Sequence, residues 1–167
     1  SFLKEFLPGP IVVKENGRFE WYTPTSSIGR MHGYHGNFLV ALRALVYMKL
    51  LGKSGLDNLG AYAVLNARYL SSIVSKIIPL AYNEPCMHEF VATVKNLKKS
   101  HKIKAYDVGK ALLDKGFHSP TIYFPLIIEE ALMFEPTETQ SVDTLDDLAE
   151  TLKVIVEELQ GEDVSLE

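Results

Sequence analysis

Cysteine is nearly missing from this chain. Cys86 is the one example in 167 residues, so no disulfide can close within the sequence. A lone thiol suits a reducing compartment. Basic charge is not in excess: 17 Lys and Arg stand against 21 Asp and Glu, for a formal net charge of -4. That balance argues against a nucleic-acid binder, which carries a basic stripe or cluster. No apolar run approaches the roughly 20 residues of a membrane span, and no basic-plus-apolar leader pattern opens the sequence. Internal repeats and low-complexity tracts are missing too. So are a P-loop, a nucleophile elbow with its Ser/His/Asp set, an HExxH pair and any Cys pair, which removes the chemistries those motifs carry. What is present is apolar: 47% of the residues are hydrophobic, enough for a real core. The length fits one domain, or a small domain with a tail from a larger protein. The opening Ser1-Phe2-Leu3-Lys4-Glu5-Phe6-Leu7 is apolar and lacks an initiator Met, the expectation for a piece of something longer.

The order of elements follows from turn chemistry and periodicity. Ile11-Val12-Val13 and Phe19-Glu20-Trp21-Tyr22 bracket Asn16-Gly17, a hairpin signal because both residues tolerate positive φ. Residues 26–37, rich in Gly, Ser and His, have neither helical nor strand periodicity and read as a loop. Phe38 to Leu51 is a helix apolar on nearly every side, ended by Gly52, and such a helix is usually buried. A second helix is expected from Ser54, with Asp57 completing a capping box, to about Ile78. Its apolar face is drawn by Leu56, Leu59, Ala63, Leu65, Leu70 and Ile73. His88 to Val94 reads as a strand, Ala105 to Lys115 as a helix closed by Gly116, and Thr121–Phe124 and Ala131–Phe134 as short strands. Ser141 caps a last helix from about Thr144 to Leu159, with Asp143, Asp146 and Asp147 near its positive end. An acidic, frayed tail follows Gly161. The fold class is α+β: a largely antiparallel sheet covered by helices, preceded by a hairpin and long linking helices.

Several constellations offer polar chemistry, each with a plain structural reading beside it. His32 and His35 lie three apart in the Gly-rich loop, but a metal site needs more ligands than two, and polar tips on a turn account for them. His88-Glu89, placed at a strand start, should point to opposite faces, so only one can look into a cleft. Gly116-Phe117-His118-Ser119-Pro120-Thr121 turns a helix into a strand with a His at the turn, made stiff by Pro120. Loops on a rigid scaffold often carry ligand contacts. Glu135-Pro136-Thr137-Glu138-Thr139 gathers acidic and hydroxyl groups, or is simply a solvated turn before a helix. Glu129-Glu130 gives no support for a paired-carboxylate mechanism. From the residues alone this is an α+β domain with a few polar loops, and its function is open.

Six segments, in order and at the family's approximate spacing, resemble the glycine dehydrogenase (decarboxylating) family, the P-protein of the glycine cleavage system, in its two-subunit form as subunit 2. They are Ser27-Ile28-Gly29-Arg30, Ala63 to Leu70 (Ala-Val-Leu-Asn-Ala-Arg-Tyr-Leu), Pro85 to Phe90 (Pro-Cys-Met-His-Glu-Phe), Asp107-Val108-Gly109-Lys110, Gly116 to Thr121, and Glu135 to Thr139. The resemblance runs from about residue 26 to residue 155. It implies the C-terminal small domain of a fold-type-I transferase dependent on pyridoxal 5'-phosphate (PLP). It implies a cytoplasmic, aminomethyl-transferring oxidoreductase that decarboxylates glycine and passes the aminomethyl group to the lipoyl arm of the H-protein. Its implied partners are subunit 1, the H-protein and glycine, with no nucleic acid and no membrane. PLP supplies the electron sink, the protein orientation and electrostatics.

Lys95, Lys98 and Lys110 lie in none of the contexts of the family's Schiff-base lysine, which is therefore expected upstream of Ser1. This chain alone is expected to be inactive, with no catalytic residue of its own. The expected organisation is residues 1–36 as hairpin and Gly-rich linker, 37–160 as the C-terminal small domain and 161–167 as tail. His118 and Thr121 are the first candidates to line the cleft, followed by His88, Glu135, Thr137 and Glu138. Ser27 and Arg30 are placed near the domain junction, where an Arg can pair with a carboxylate. Two rivals stay open. One is the small domain of another fold-type-I enzyme, an aminotransferase or a cysteine desulfurase. The other is a non-catalytic module that binds a partner protein.

Overall fold

A computed structural model describes residues 2–33 and 36–161. His35 of the His32/His35 pair and the acidic tail after Gly161 lie outside them. The chain forms two compact units, residues 1–52 and 53–167. The first opens with a 3-10 turn, Phe2–Phe6, followed by an antiparallel hairpin of β1 (Ile11–Glu15) and β2 (Arg18–Tyr22). The tight turn sits where Asn-Gly places it, with φ of 48° at Asn16 and 81° at Gly17. Ser27 stitches the following loop: its hydroxyl donates to the Leu7 carbonyl at 2.7 Å and accepts the Gly29 amide at 3.1 Å. Helix α1 (Phe38–Val74) begins in this unit and is interrupted at Gly52, whose φ of 63° and ψ of -175° no helix contains. The segment before Gly52 is apolar but uncovered, with Phe38, Leu39 and Leu50 all more than two-thirds exposed.

The second unit holds the core. It begins with the rest of α1 and continues through β3 (Phe90–Thr93), α2 (Lys95–His101), α3 (Ala105–Asp114), β4 (Thr121–Ile122), β5 (Ala131–Phe134) and α4 (Val142–Gly161). The sheet is antiparallel in the order β3-β5-β4, so the latest strand in sequence is central. Register pairs Phe90 with Phe134 and Thr121 with Met133. The two phenylalanine rings stack with centroids 5.1 Å apart. Residues 79–81 extend the far edge of β3 through Ala81 N–H to Val91 and Thr93 N–H to Pro79. Leu70 and Val74 of α1, Val108 and Leu112 of α3, and Leu145, Leu152 and Ile155 of α4 pack with these strands into one core. The α+β class, with helices covering a small antiparallel sheet, is as expected.

Several local expectations need correction. The break at Gly52 and a new helical segment just after it are as expected, but the Ser54–Asp57 capping box does not form, and Asp57 pairs instead with Lys53 at 2.6 Å. The buried stripe of α1 is Ala67, Leu70 and Val74, while Leu65 is 62% exposed. The strand expected from His88 starts at Phe90, and helix α2 was not foreseen. The last helix starts at Val142 rather than at about Thr144, and Ser141 caps it as expected, its hydroxyl accepting the Thr144 amide at 3.2 Å.

Candidate functional site

The turn after α3 is fixed by helix-end chemistry. Gly116, at φ 88°, takes the left-handed position. Its amide donates to Leu113 at 3.0 Å, and the Phe117 amide donates to Leu112 at 2.9 Å. That pair of bonds is a Schellman ending, which turns the chain sharply away from the helix axis. Phe117 drops onto the core, and His118, Ser119 and Pro120 cross to β4. Gly109 allows the crossing to lie close, because a Cβ there would stand 2.7 Å from the Ser119 hydroxyl. Thr121 then enters the sheet opposite Met133.

The facing wall leaves β5 at Phe134 and runs through Glu135, buried Pro136 and Thr137. It folds back on itself: the Gln140 amide donates to the Thr137 carbonyl at 3.2 Å, and the Thr137 and Thr139 hydroxyls are 2.7 Å apart. Between the walls lies a cavity of about 400 Å³. Its rim carries His118, Thr121, Glu135, Thr137, Gln140 and Thr144, and its floor includes Leu70, Leu145 and Leu148. An imidazole, a carboxylate, an amide and the hydroxyls of Ser119, Thr121, Thr137 and Thr144 thus surround an apolar floor. This is the composition of a site that binds a small ligand and orients it with few polar groups.

Four of the sequence candidates, His118, Thr121, Glu135 and Thr137, meet at this one cavity. Glu138 follows Thr137 in the same loop but does not line it. His88 stands outside the lining, its Nε2 3.9 Å from both Glu135 Oε1 and Glu89 Oε2. The expectation that His88 and Glu89 point to opposite faces fails, because both precede the strand and strand alternation does not govern them. His88, Glu89 and Glu135 bring potential metal ligands within 4.8 Å of one another, all on exposed side chains. Ser27 and Arg30 belong to the first unit. A larger hollow of about 750 Å³ is lined by Val40 to Leu50 alone and is one side of an uncovered apolar helix, with Arg43 and Tyr47 as its polar groups.

Sequence reasoning missed Gln140, Thr144 and Asn66. Asn66, on α1, donates its amide to the Thr137 and Gln140 carbonyls at 2.9 and 3.1 Å. Its neighbour Arg68 donates Nε–H to Cys86 at 2.9 Å, tying down the approach to His88. Tyr69 donates to Asp146 at 2.6 Å, and that bond to a carboxylate raises the phenol above its usual range. None of the lysines lines the cavity. Lys95 and Lys98 instead pair with Glu129 at 3.1 and 3.4 Å, and Lys98 with Glu130 at 2.7 Å.

Fold and cleft define an α+β domain that presents a small polar-rimmed cavity between a helix-to-strand turn and a strand-to-helix loop. Residues 60–165 match the family described as glycine dehydrogenase, C-terminal domain, and the chain belongs to that family. Among curated relatives, the probable glycine dehydrogenase (decarboxylating) subunit 2 of Thermosipho melanesiensis is 50% identical over 154 residues, 92% of this chain and 32% of that protein. The protein of the same name from Treponema denticola is 48% identical over 153 residues, 91% of this chain and 32% of its own length. The chain therefore spans about a third of the relatives it matches. A crystal structure of glycine decarboxylase (P-protein) of the glycine cleavage system, in inhibitor-bound form, superposes with a TM-score of 0.64. That likeness covers 92% of this chain and 36% of the other at 23% identity, and it establishes the fold in common.

Proposed function

We propose that this chain is the C-terminal part of the PLP subunit of a glycine decarboxylase. The full-length protein, with subunit 1, would release carbon dioxide from glycine and hand the aminomethyl group to the lipoyl arm of an H-protein in the cytoplasm. The observation that carries this reading is the meeting of the Gly116–Thr121 and Glu135–Thr139 segments, two of the six motifs of the resemblance, around one cavity. In this reading residues 1–36 lead from the large domain, and Ser27 and Arg30 lie near the junction with it.

The cavity does not fit the covalent anchor of PLP, because no lysine lines it. It fits the rim of such a site, so the amine that holds the cofactor is assigned to the rest of the protein and no step is drawn through the cofactor here. What this chain contributes is binding and orientation. The His118 imidazole and the Thr121 and Thr137 hydroxyls offer hydrogen bonds to an anionic or polar group entering between the two walls. The apolar floor of Leu70, Leu145 and Leu148 offers such a ligand no competing polar group beneath them. Glu135, with His88 3.9 Å away, lies at the outer edge, where it meets solvent.

The test is catalytic. The full-length protein with subunit 1 should exchange the glycine carboxyl group with labelled bicarbonate and should not transaminate amino acids. Transamination without exchange would assign the chain to another PLP enzyme, and neither activity would favour a partner-binding module.

A further inference from the structure

The motif Ala63 to Leu70 belongs to no wall of the cavity apart from Leu70, yet its polar side chains reach three separate parts of the second unit. Successive helix positions are turned by about 100°, so Asn66, Arg68 and Tyr69 leave α1 in different directions around buried Ala67. Asn66 grips the loop 137–140, Arg68 the segment at Cys86, and Tyr69 the helix α4 at Asp146. We infer that Asn66 is a positioning residue that sets the Thr137–Gln140 wall of the cleft. This inference rests on the function proposed above.

Three observations support it. First, both atoms facing the Asn66 side chain are carbonyl oxygens, so its amide nitrogen must point at them and uses both of its hydrogens, at 2.9 and 3.1 Å. Second, the two carbonyls belong to the residues that also line the cavity, Thr137 and Gln140. The clasp therefore acts on the wall itself and not on a distant part of the loop. Third, the loop has a further internal bond, Gln140 amide to Thr137 carbonyl at 3.2 Å, so the Thr137 oxygen receives two donors at once. Without Asn66 that turn would have one fewer restraint at each end and could move toward or away from His118. Misplacement by about 1 Å at a reacting site can cost on the order of a hundredfold in rate.

Asn66→Asp tests the clasp, because it keeps the shape and sets a carboxylate against two carbonyls where donors stood. Tyr69→Phe serves as the control. It removes one hydrogen bond from the same motif but touches no residue of the 137–140 loop. In the full-length protein with subunit 1, three quantities are read for each variant: glycine–bicarbonate exchange as kcat and KM, thermal midpoint, and hydrogen exchange of the amides of 137–140. The inference expects Asn66→Asp to lower kcat/KM at least about tenfold and to speed amide exchange at Gln140. Tyr69→Phe should leave both unchanged at a similar loss of thermal midpoint. An Asn66→Asp enzyme that loses no more activity than Tyr69→Phe overturns the positioning role. Should the unaltered protein show no glycine exchange, the functional reading fails, and the loop amides then decide the clasp: unchanged protection in Asn66→Asp overturns it, and lost protection upholds it.

Discussion

Glu130 sits at φ 52° with only 5% of its side chain exposed, and both of its carboxylate oxygens are engaged. One accepts the Ala105 amide at the start of α3 at 2.8 Å, and the other meets Lys98 at 2.7 Å. A carboxylate at a helix start satisfies a free N–H and lies favourably in the helix dipole. Glu130→Ala strands the buried amide of Ala105, and a loss of roughly 1–3 kcal/mol is expected in a urea melt. Its neighbour Glu129 carries the pH dependence. Hydrogen bonds from Lys95 and Lys98 hold the Glu129 carboxyl below its ordinary value of 4.5, while Glu130 and then Glu129 raise Lys98 above 10.5. For the depressed acid, the stabilisation is full above the unfolded value and is lost as pH falls through the folded one. For the raised base, it is full below the unfolded value and is lost as pH rises through the folded one. The cluster should therefore stabilise most between these limits, and Glu129→Gln should flatten the fall of the urea midpoint on the acid side. Lys95, Lys98 and Glu129 are all well exposed, so the effect is small and should shrink in salt.

At the scale of elements, the turn after α3 rests on two glycines with different tasks. Gly116 supplies a positive φ, and Gly109 supplies space. A Cβ at 109 would meet the Ser119 hydroxyl at 2.7 Å and Ile122 Cγ2 at 3.2 Å, so the Ser119 and Ile122 side chains would have to give way. Gly109→Val is expected to cost about 1–3 kcal/mol as overpacking outweighs the gain in helix propensity. A thermal midpoint equal to that of the unaltered protein would contradict this. The same region shows what a sequence can and cannot disclose. Asn16-Gly17 and Gly116 were legible because the conformations they adopt are costly for other residues. Strand β5 was legible as a short apolar run bounded by turns. Helix α2, Lys-Asn-Leu-Lys-Lys-Ser-His, was not, because it has a single apolar residue; Leu97 packs on the core and Lys98 reaches Glu129 and Glu130. Leu65 misled because helical spacing says nothing about which side of a helix finds a partner. As for the site, the two polar loops could be read as loops, but their meeting depends on β4 pairing with β5, a non-local register. Gly109 inside a helix was the available signal for a close approach.

At the scale of the molecule, the two units contrast in what they bury. Residues 53–161 contain the core, whereas the described part of residues 1–52 buries only Gly9 and Pro24. Its hairpin exposes Phe19 and Trp21, and its helix exposes Phe38 to Leu50 along most of its length. Large apolar side chains left exposed in such number are characteristic of an interaction face. In the proposed reading, that face is covered by the rest of a larger protein, since this chain spans only about a third of the length of its relatives. The central claim is that the second unit brings the His118 turn into the glycine site of that larger protein. The most direct test is glycine–bicarbonate exchange by full-length His118→Ala, assembled with subunit 1 and checked for an unchanged thermal midpoint. The account predicts a fall in kcat/KM of roughly a hundredfold, the scale of losing one well-placed hydrogen-bond donor. Exchange at the unaltered rate would contradict it and place the cavity outside the chemistry.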